Sequence, residues 1–224
     1  MFSISDIDFM INDMRIDVAS IEAKFNEPFF TKYKSIAVDA IAKYIEVIQA
    51  FEALAIKRDL FSHIDNEAEE FIRSHYCNLA DMIENEAVLR VFDTLRYSFS
   101  CYAYNGLHQL YTRQENQSWH PKIKLIEILE PNDIESLEPM IKIYRGCDIT
   151  EHENGSYGQA WTTSLETAKK FAFIHYQNQG WFHSGNRVVL ETNYSREHLL
   201  FSNQSVEFEV VVKTSKLGSV RKHI

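Results

Sequence analysis

The spacing of apolar residues changes character along the chain. In "ISDIDFMINDMRIDVASIEAKF", Ile7, Met10, Ile11, Met14, Val18 and Ile21 recur at the three- and four-residue intervals of one helix face. After Pro28, "YKSIAVDAIAKYIEVIQAFEALAIKRDLF" keeps Ala, Ile and Leu on one side of a longer amphipathic run. A third helical stretch is predicted through "NEAEEFIRSHYCNLADMIENEAVLRVFDTLRYSFSCYAYNGLHQLY", broken near Asn85 or Tyr97 and stopped near Gly106. From about residue 119 the period shortens. Lys122–Leu129 alternates like a strand, with a short helix as the alternative, and "MIKIYRG", "GQAWTTS", "RVVLETN" and "SVEFEVVV" are short β-rich runs separated by Gly, Asn and Ser. Between the second and third of these runs, "LETAKKFAFIHYQNQ" reads as one helix with Ser164 as its N-cap.

Helices first and a β-dominated part after them predict an α+β fold. No repeat, low-complexity tract or linker interrupts it. The predicted organisation is one domain, 1–224, with a helical lobe over 1–118 and a β-rich lobe over 119–224.

Charge sharpens this division. The net charge of −9 is unevenly spread: residues 141–224 hold ten Lys and Arg against eight Asp and Glu, and residues 1–140 hold 13 against 24. The acidic first part argues against wrapping nucleic acid, and the mildly basic final part is compatible with a small anionic ligand. No apolar run approaches the roughly 20 residues of a membrane span, and the N-terminus lacks the pattern of a secretory signal. The expectation is a protein without membrane partners that is cytoplasmic, or delivered into a host cytoplasm without a classical signal peptide. Cys77, Cys101 and Cys147 are few and far apart, which speaks against a disulfide framework or a Cys-type zinc site. His63, His75 and His108 share no metal-ligand spacing, so no metal is expected. Without a signal sequence, the Asn-X-Ser sequons at Asn116, Asn154, Asn193 and Asn203 carry little meaning.

Three short motifs could carry chemistry. Tyr144-Arg145-Gly146 puts a guanidinium in a β-run, which is costly unless an anion or a salt bridge meets it. Trp161-Thr162-Thr163-Ser164 places hydroxyls at a strand-to-helix junction, where they serve either a ligand or a helix cap. Glu207-Phe208-Glu209, read as strand, sets two carboxylates on one face about 7 Å apart, a paired acid site or a solvated edge.

Taken together and in this order, "YRG", "WTTS" and "EFE" resemble the mono-ADP-ribosyltransferase family of the arginine–serine–glutamate type, which includes bacterial toxins, phage enzymes and vertebrate ecto-enzymes. The resemblance covers about residues 141–213, and Thr162 stands where that family usually has serine. It implies a split β-sandwich core and NAD⁺ as co-substrate. Arg145 would hold the phosphate and ribose region with its fork, and Gly146 would leave room for nicotinamide. Thr162 would order the site by bonding the catalytic glutamate, with Ser164 supporting the same strand. Glu209 would be catalytic, stabilising positive charge on the ribose as nicotinamide leaves, and Glu207 would face the acceptor.

The resemblance also implies a macromolecular acceptor. Glu207 favours protein arginine over nucleic acid, and an intracellular toxin, effector or phage enzyme with a neutralising antitoxin partner fits such a chain. Phe171 and Phe173 could shelter nicotinamide, with Phe173 preferred as a co-substrate contact, or pack in a helix core. The loops 177–186 and 194–205 are expected rims, and Phe201 is a candidate contact with the acceptor. His175-Tyr176 is set aside, because it follows "TTS" instead of lying on the first motif strand. Three alternatives stand beside protein transfer: modification of RNA or DNA, NAD⁺ glycohydrolysis, and an inactive fold used for binding.

Overall fold

The computed structural model describes residues 1–56, 66–110, 119–180 and 182–223, except the side chains of His108 and Gln109. His63, Asn116, Trp181 and the His108 side chain therefore lie outside the described residues. The chain forms two compact units, Met1–Lys124 and Leu125–Ile224.

The first unit is helical. Its elements are α1 (Ile4–Asn12), α2 (Val18–Phe25), α3 (Lys34–Glu52), α4 (Glu67–Ala80), α5 (Glu86–Asn105) and α6 (Leu107–Leu110). The first periodic run is two helices, not one. Arg15 takes a left-handed conformation (φ 56°), Asp17 caps α2, and Ile16 forms a β-bridge with Ile123. The alternation predicted over Lys122–Leu129 thus yields one bridge and no strand. The third stretch breaks at Asn85, which N-caps α5 through the amides of Ala87 and Val88, and runs unbroken past Tyr97. Gly106 ends α5 at φ 63°, a conformation glycine adopts without penalty. The apolar faces meet in an aromatic-rich core, where Phe25 stacks on Phe30 at 5.0 Å and Phe30 contacts Phe92 at 5.5 Å.

The second unit is a six-stranded antiparallel sheet with two helices. Strands β1 (Met140–Asp148), β2 (Ala160–Thr162), β3 (Arg187–Ser195), β4 (Leu199–Asn203), β5 (Glu209–Val212) and β6 (Arg221–Lys222) take the order β4-β5-β2-β1-β3-β6. The chain is therefore α+β. β1 and β3 pair over nine residues, yet β1 and β2 meet in the single pair Tyr144↔Thr162. Two well-zipped halves, β4-β5-β2 and β1-β3-β6, thus join at one residue pair.

The two faces of the sheet differ. One carries Ile141, Ile143, Cys147, Trp161, Val188, Leu190, Val210 and Val212 in an apolar cluster. The other is crossed by α8 (Leu165–Phe173), which lays Ala168 and Ala172 on Val189 beside Tyr144 and Phe173. Arg187 donates to the carbonyls of Ala172 and Phe171, satisfying backbone acceptors at the C-terminal end of α8. This helix stops at Phe173, well short of the predicted run to Gln179.

α8 fits only because Gly146 lies beneath it. A Cβ on Gly146 would stand 2.1 Å from the Ala168 carbonyl oxygen and 2.5 Å from the Ala172 nitrogen. Gly146→Ala is therefore expected to destabilise the protein by roughly 1–3 kcal/mol or more in denaturant unfolding. Gly185→Ala, in open space, is expected to stay within about 0.5 kcal/mol of the parent.

Candidate active site

Cross-strand pairing gathers the motifs. Asn203 pairs with Glu209, Glu209 with Thr162, Thr162 with Tyr144, Tyr144 with Glu191, and Glu191 with Arg221. Directly paired residues share a face, so these six form one row across all six strands, on the side that carries α8. Tyr144 from the first motif, Thr162 from the second and Glu209 from the third stand next to one another in it.

Glu209 is the most perturbed group of the row. Burial, and then the nearby Glu207 charge, push its carboxyl up to about 7. Its carboxylate makes no hydrogen bond or ion pair among the described residues. A carboxyl that loses its proton only near neutral pH, with no partner among the described residues, is the kind of group that active sites build.

The placement of Glu207 corrects the strand reading of "EFE". β5 begins at Glu209, and Glu207 lies in the exposed bend before it. The reason is Phe208, whose φ of 53° breaks the alternation that would have put both carboxylates on one strand face. A left-handed conformation is uncommon for a bulky side chain and is tolerated only where neighbours hold it. The neighbours are visible: Thr162 Oγ1 donates to the Glu207 carbonyl (2.8 Å), and Thr163 N donates to the Phe208 carbonyl (2.9 Å).

Thr162 consequently acts on the main chain of Glu207 and not on the Glu209 carboxylate. The same hydroxyl accepts from Ser164 N at 3.0 Å. Ser164 Oγ accepts from Thr167 N, so this hydroxyl is engaged in capping α8. Gln204, which the sequence did not single out, braces the turn. Its Oε1 accepts from Thr163 Oγ1 (2.6 Å), and its Nε2 donates to Ser202 Oγ and to the Glu209 carbonyl (both 3.1 Å). Its only sequence signal is a polar residue between β-rich runs, which any loop supplies.

Arg145 stands apart from this row. It shares the apolar face with Ile143 and Cys147, on the side of the sheet away from Glu209. Its Nε and Nη2 fork onto Glu151 (2.8 and 2.7 Å) in α7 (Ile149–Glu153), and Nη1 donates to the Ala160 carbonyl (2.6 Å). Glu151 Oε2 also accepts from Gly158 N. The anion that meets this buried arginine is a protein carboxylate, and the guanidinium spans the gap where β1 and β2 diverge. Gly146, next to it, is kept small by the backbone of α8.

The aromatic residues separate cleanly. Phe173 is partly buried against Ala168 and Ala172, and the Phe171 ring stacks on His175 at 4.6 Å. Phe201 is 4% exposed and pairs with Val211 on β5, so it faces no acceptor. The exposed apolar side chains of the 194–208 segment are Val206 and Phe208.

Among the described residues no cluster of His, Cys, Asp and Glu could hold a metal, and no helix is long and apolar enough to cross a membrane. No family model, curated protein or solved structure matches the chain.

Two outcomes follow from these contacts. Glu209 releases its proton near 7 in the folded chain and near 4.5 when unfolded, so stability falls as pH rises between those values and is flat above them. Glu209→Gln should abolish that fall and be more stable than the parent at pH 8 by on the order of 2–3 kcal/mol, read from urea midpoints. Arg145→Ala leaves the partly buried Glu151 without its cation and the Ala160 carbonyl without its donor, and should cost about 2–4 kcal/mol in the same assay.

Proposed function

We propose that the chain is a mono-ADP-ribosyltransferase that moves ADP-ribose from NAD⁺ to a macromolecular acceptor, protein arginine before RNA or DNA. The observation that carries this reading is the cross-strand row. Residues of three motifs, from Tyr144 to Glu209, adjoin at the one pair where the two halves of the sheet meet. That nearly divided sheet also supports the split β-sandwich as the finer description of the fold.

The chemistry assigns distinct tasks to the two glutamates. The ribose–nicotinamide bond breaks with its electron pair leaving on nicotinamide, and positive charge develops on the sugar. Glu209, once ionised, stabilises that charge through the ribose 2′-hydroxyl, in a partly dehydrated setting where such an interaction is strong. An acceptor guanidinium nitrogen then bonds to the ribose carbon and loses a proton, for which the exposed Glu207 is placed as base. With water as acceptor the same bond breaks, the product is free ADP-ribose, and Glu207 is dispensable.

The fit of the remaining residues to NAD⁺ is uneven. Glu209, the neighbouring Tyr144 and the partly buried Phe173 suit the reacting end. Arg145, already forked onto Glu151, suits a structural duty at the β1–β2 junction better than a grip on the diphosphate. In this reading Arg145 orders the strand that presents Thr162.

Labelled NAD⁺ incubated with the protein and a cell lysate, followed by separate protease and nuclease digestion, tests the assignment. Transfer to protein predicts label lost to protease alone. Label lost to nuclease would reassign the acceptor, and free ADP-ribose without any labelled macromolecule would reduce the activity to hydrolysis. Glu209→Ala should lower both transfer and hydrolysis by about 100- to 1000-fold. Glu207→Ala should abolish transfer and spare hydrolysis.

A further inference from the structure

The polar row continues past Tyr144 to a second set of charges. At its far end a cavity of about 200 Å³ is lined by Lys142, Glu191, Thr192, Asn193, Ser219 and Arg221. Glu191 is buried in the sheet and both of its oxygens are taken. Arg221 Nε donates to Oε1 (2.5 Å) and His223 Nδ1 to Oε2 (2.7 Å). Those two bonds, with Arg221 and Lys142 nearby, hold its carboxyl below the usual range. Glu191 thus stays ionised and serves as the fixed anchor of β6.

The donors around it are in a different condition. Arg221 spends only Nε on Glu191, and its two Nη groups make no hydrogen bond among the described residues. The Lys142 ammonium, the Asn193 amide and the Ser219 hydroxyl make none either. Lys142 and Asn193 are a directly paired couple on β1 and β3, so both stand on the same sheet face as Glu191. Thr192 Oγ1 donates to the Ser219 carbonyl (3.0 Å), fastening the 219 segment to β3. The cavity therefore presents two cations and two neutral polar groups, and both oxygens of its one carboxylate already accept from protein donors. Such a site holds more donors than its own acceptors engage, and the complement of several unspent N–H and O–H donors is a compact multi-oxygen anion.

We propose that this cavity is an oxyanion site that takes a phosphoryl group, held by the Lys142 ammonium and the Arg221 Nη pair. Glu191 is a positioning residue there: by gripping Nε it aims the outer edge of the guanidinium into the cavity. Three strand spacings of about 4.8 Å separate Glu191 from Glu209 along the row, roughly 14 Å between backbones, on one face. The phosphoryl group can thus belong to a free ion or to a nucleotide whose other end reaches toward Glu209. The site rests on its own donors and does not require the transferase reading.

Amide NMR of the full chain, titrated with inorganic phosphate and separately with ADP-ribose, tests it. Saturable shifts at Lys142, Glu191–Asn193 and Ser219–His223 with either probe are expected. Lys142→Gln, an exposed change that leaves the Glu191 contacts intact, should weaken binding at least about ten-fold, and Arg221→Gln should do the same. Glu209→Gln should leave phosphate binding within about two-fold. Tighter binding of ADP-ribose than of phosphate, with added shifts at Tyr144 and Thr162, assigns the anion to a nucleotide; equal binding assigns it to the free ion. No saturable shift with either probe, or full affinity in Lys142→Gln with its spectrum otherwise unchanged, overturns the proposal, whatever the outcome of the labelled NAD⁺ assay.

Discussion

The hydroxyl of Thr162 holds the second unit's polar face together. It donates to the Glu207 carbonyl and accepts from Ser164 N, so one atom joins the bend before β5 to the start of α8. The bend keeps its left-handed Phe208 because that bond and the Thr163–Phe208 bond clamp both sides. α8, capped by Ser164, crosses the sheet over Gly146, where any Cβ would run into its backbone. Strand, turn and helix are each fixed by reference to the same few atoms, and Glu209 is partly buried as a result.

Much of this was legible in the sequence, for reasons particular to each element. Periods of three to four and of two separate the helical and β-rich parts because burial on one face imposes them. Asn85, Ser164 and Gly106 announced helix ends because caps need those side chains or that backbone. The row itself follows from strands that the alternation located, but its register did not: pairing Glu209 with Thr162 and Thr162 with Tyr144 depends on long-range contacts that no local pattern encodes.

The differences have physical causes of the same kind. The helix expected across Ile4–Phe25 is interrupted because Ile16 finds a β partner more than a hundred residues away, at Ile123. Glu207 leaves the strand because residues 41–45 positions earlier supply hydrogen bonds to a strained turn. Arg145 could be read from sequence as needing an anion, yet which anion depended on α7 bringing Glu151 to it. In each case tertiary contacts outweighed a modest local preference.

The single Tyr144↔Thr162 pair has a consequence for how the sheet comes apart. The β1–β3 ladder and the β4-β5-β2 half each hold themselves by several pairs, whereas the seam between them is one pair wide apart from side-chain ties. Ladder bonds therefore do little to hold the seam closed; the apolar cluster that joins Ile143 and Leu190 to Trp161 and Val210, and α8, which packs on β2, β1 and β3, carry that task. Tyr144, Thr162 and Glu209 sit on the seam. Loosening α8 or that cluster thus shifts Tyr144 against Thr162 and Glu209 while each ladder keeps its own hydrogen bonds.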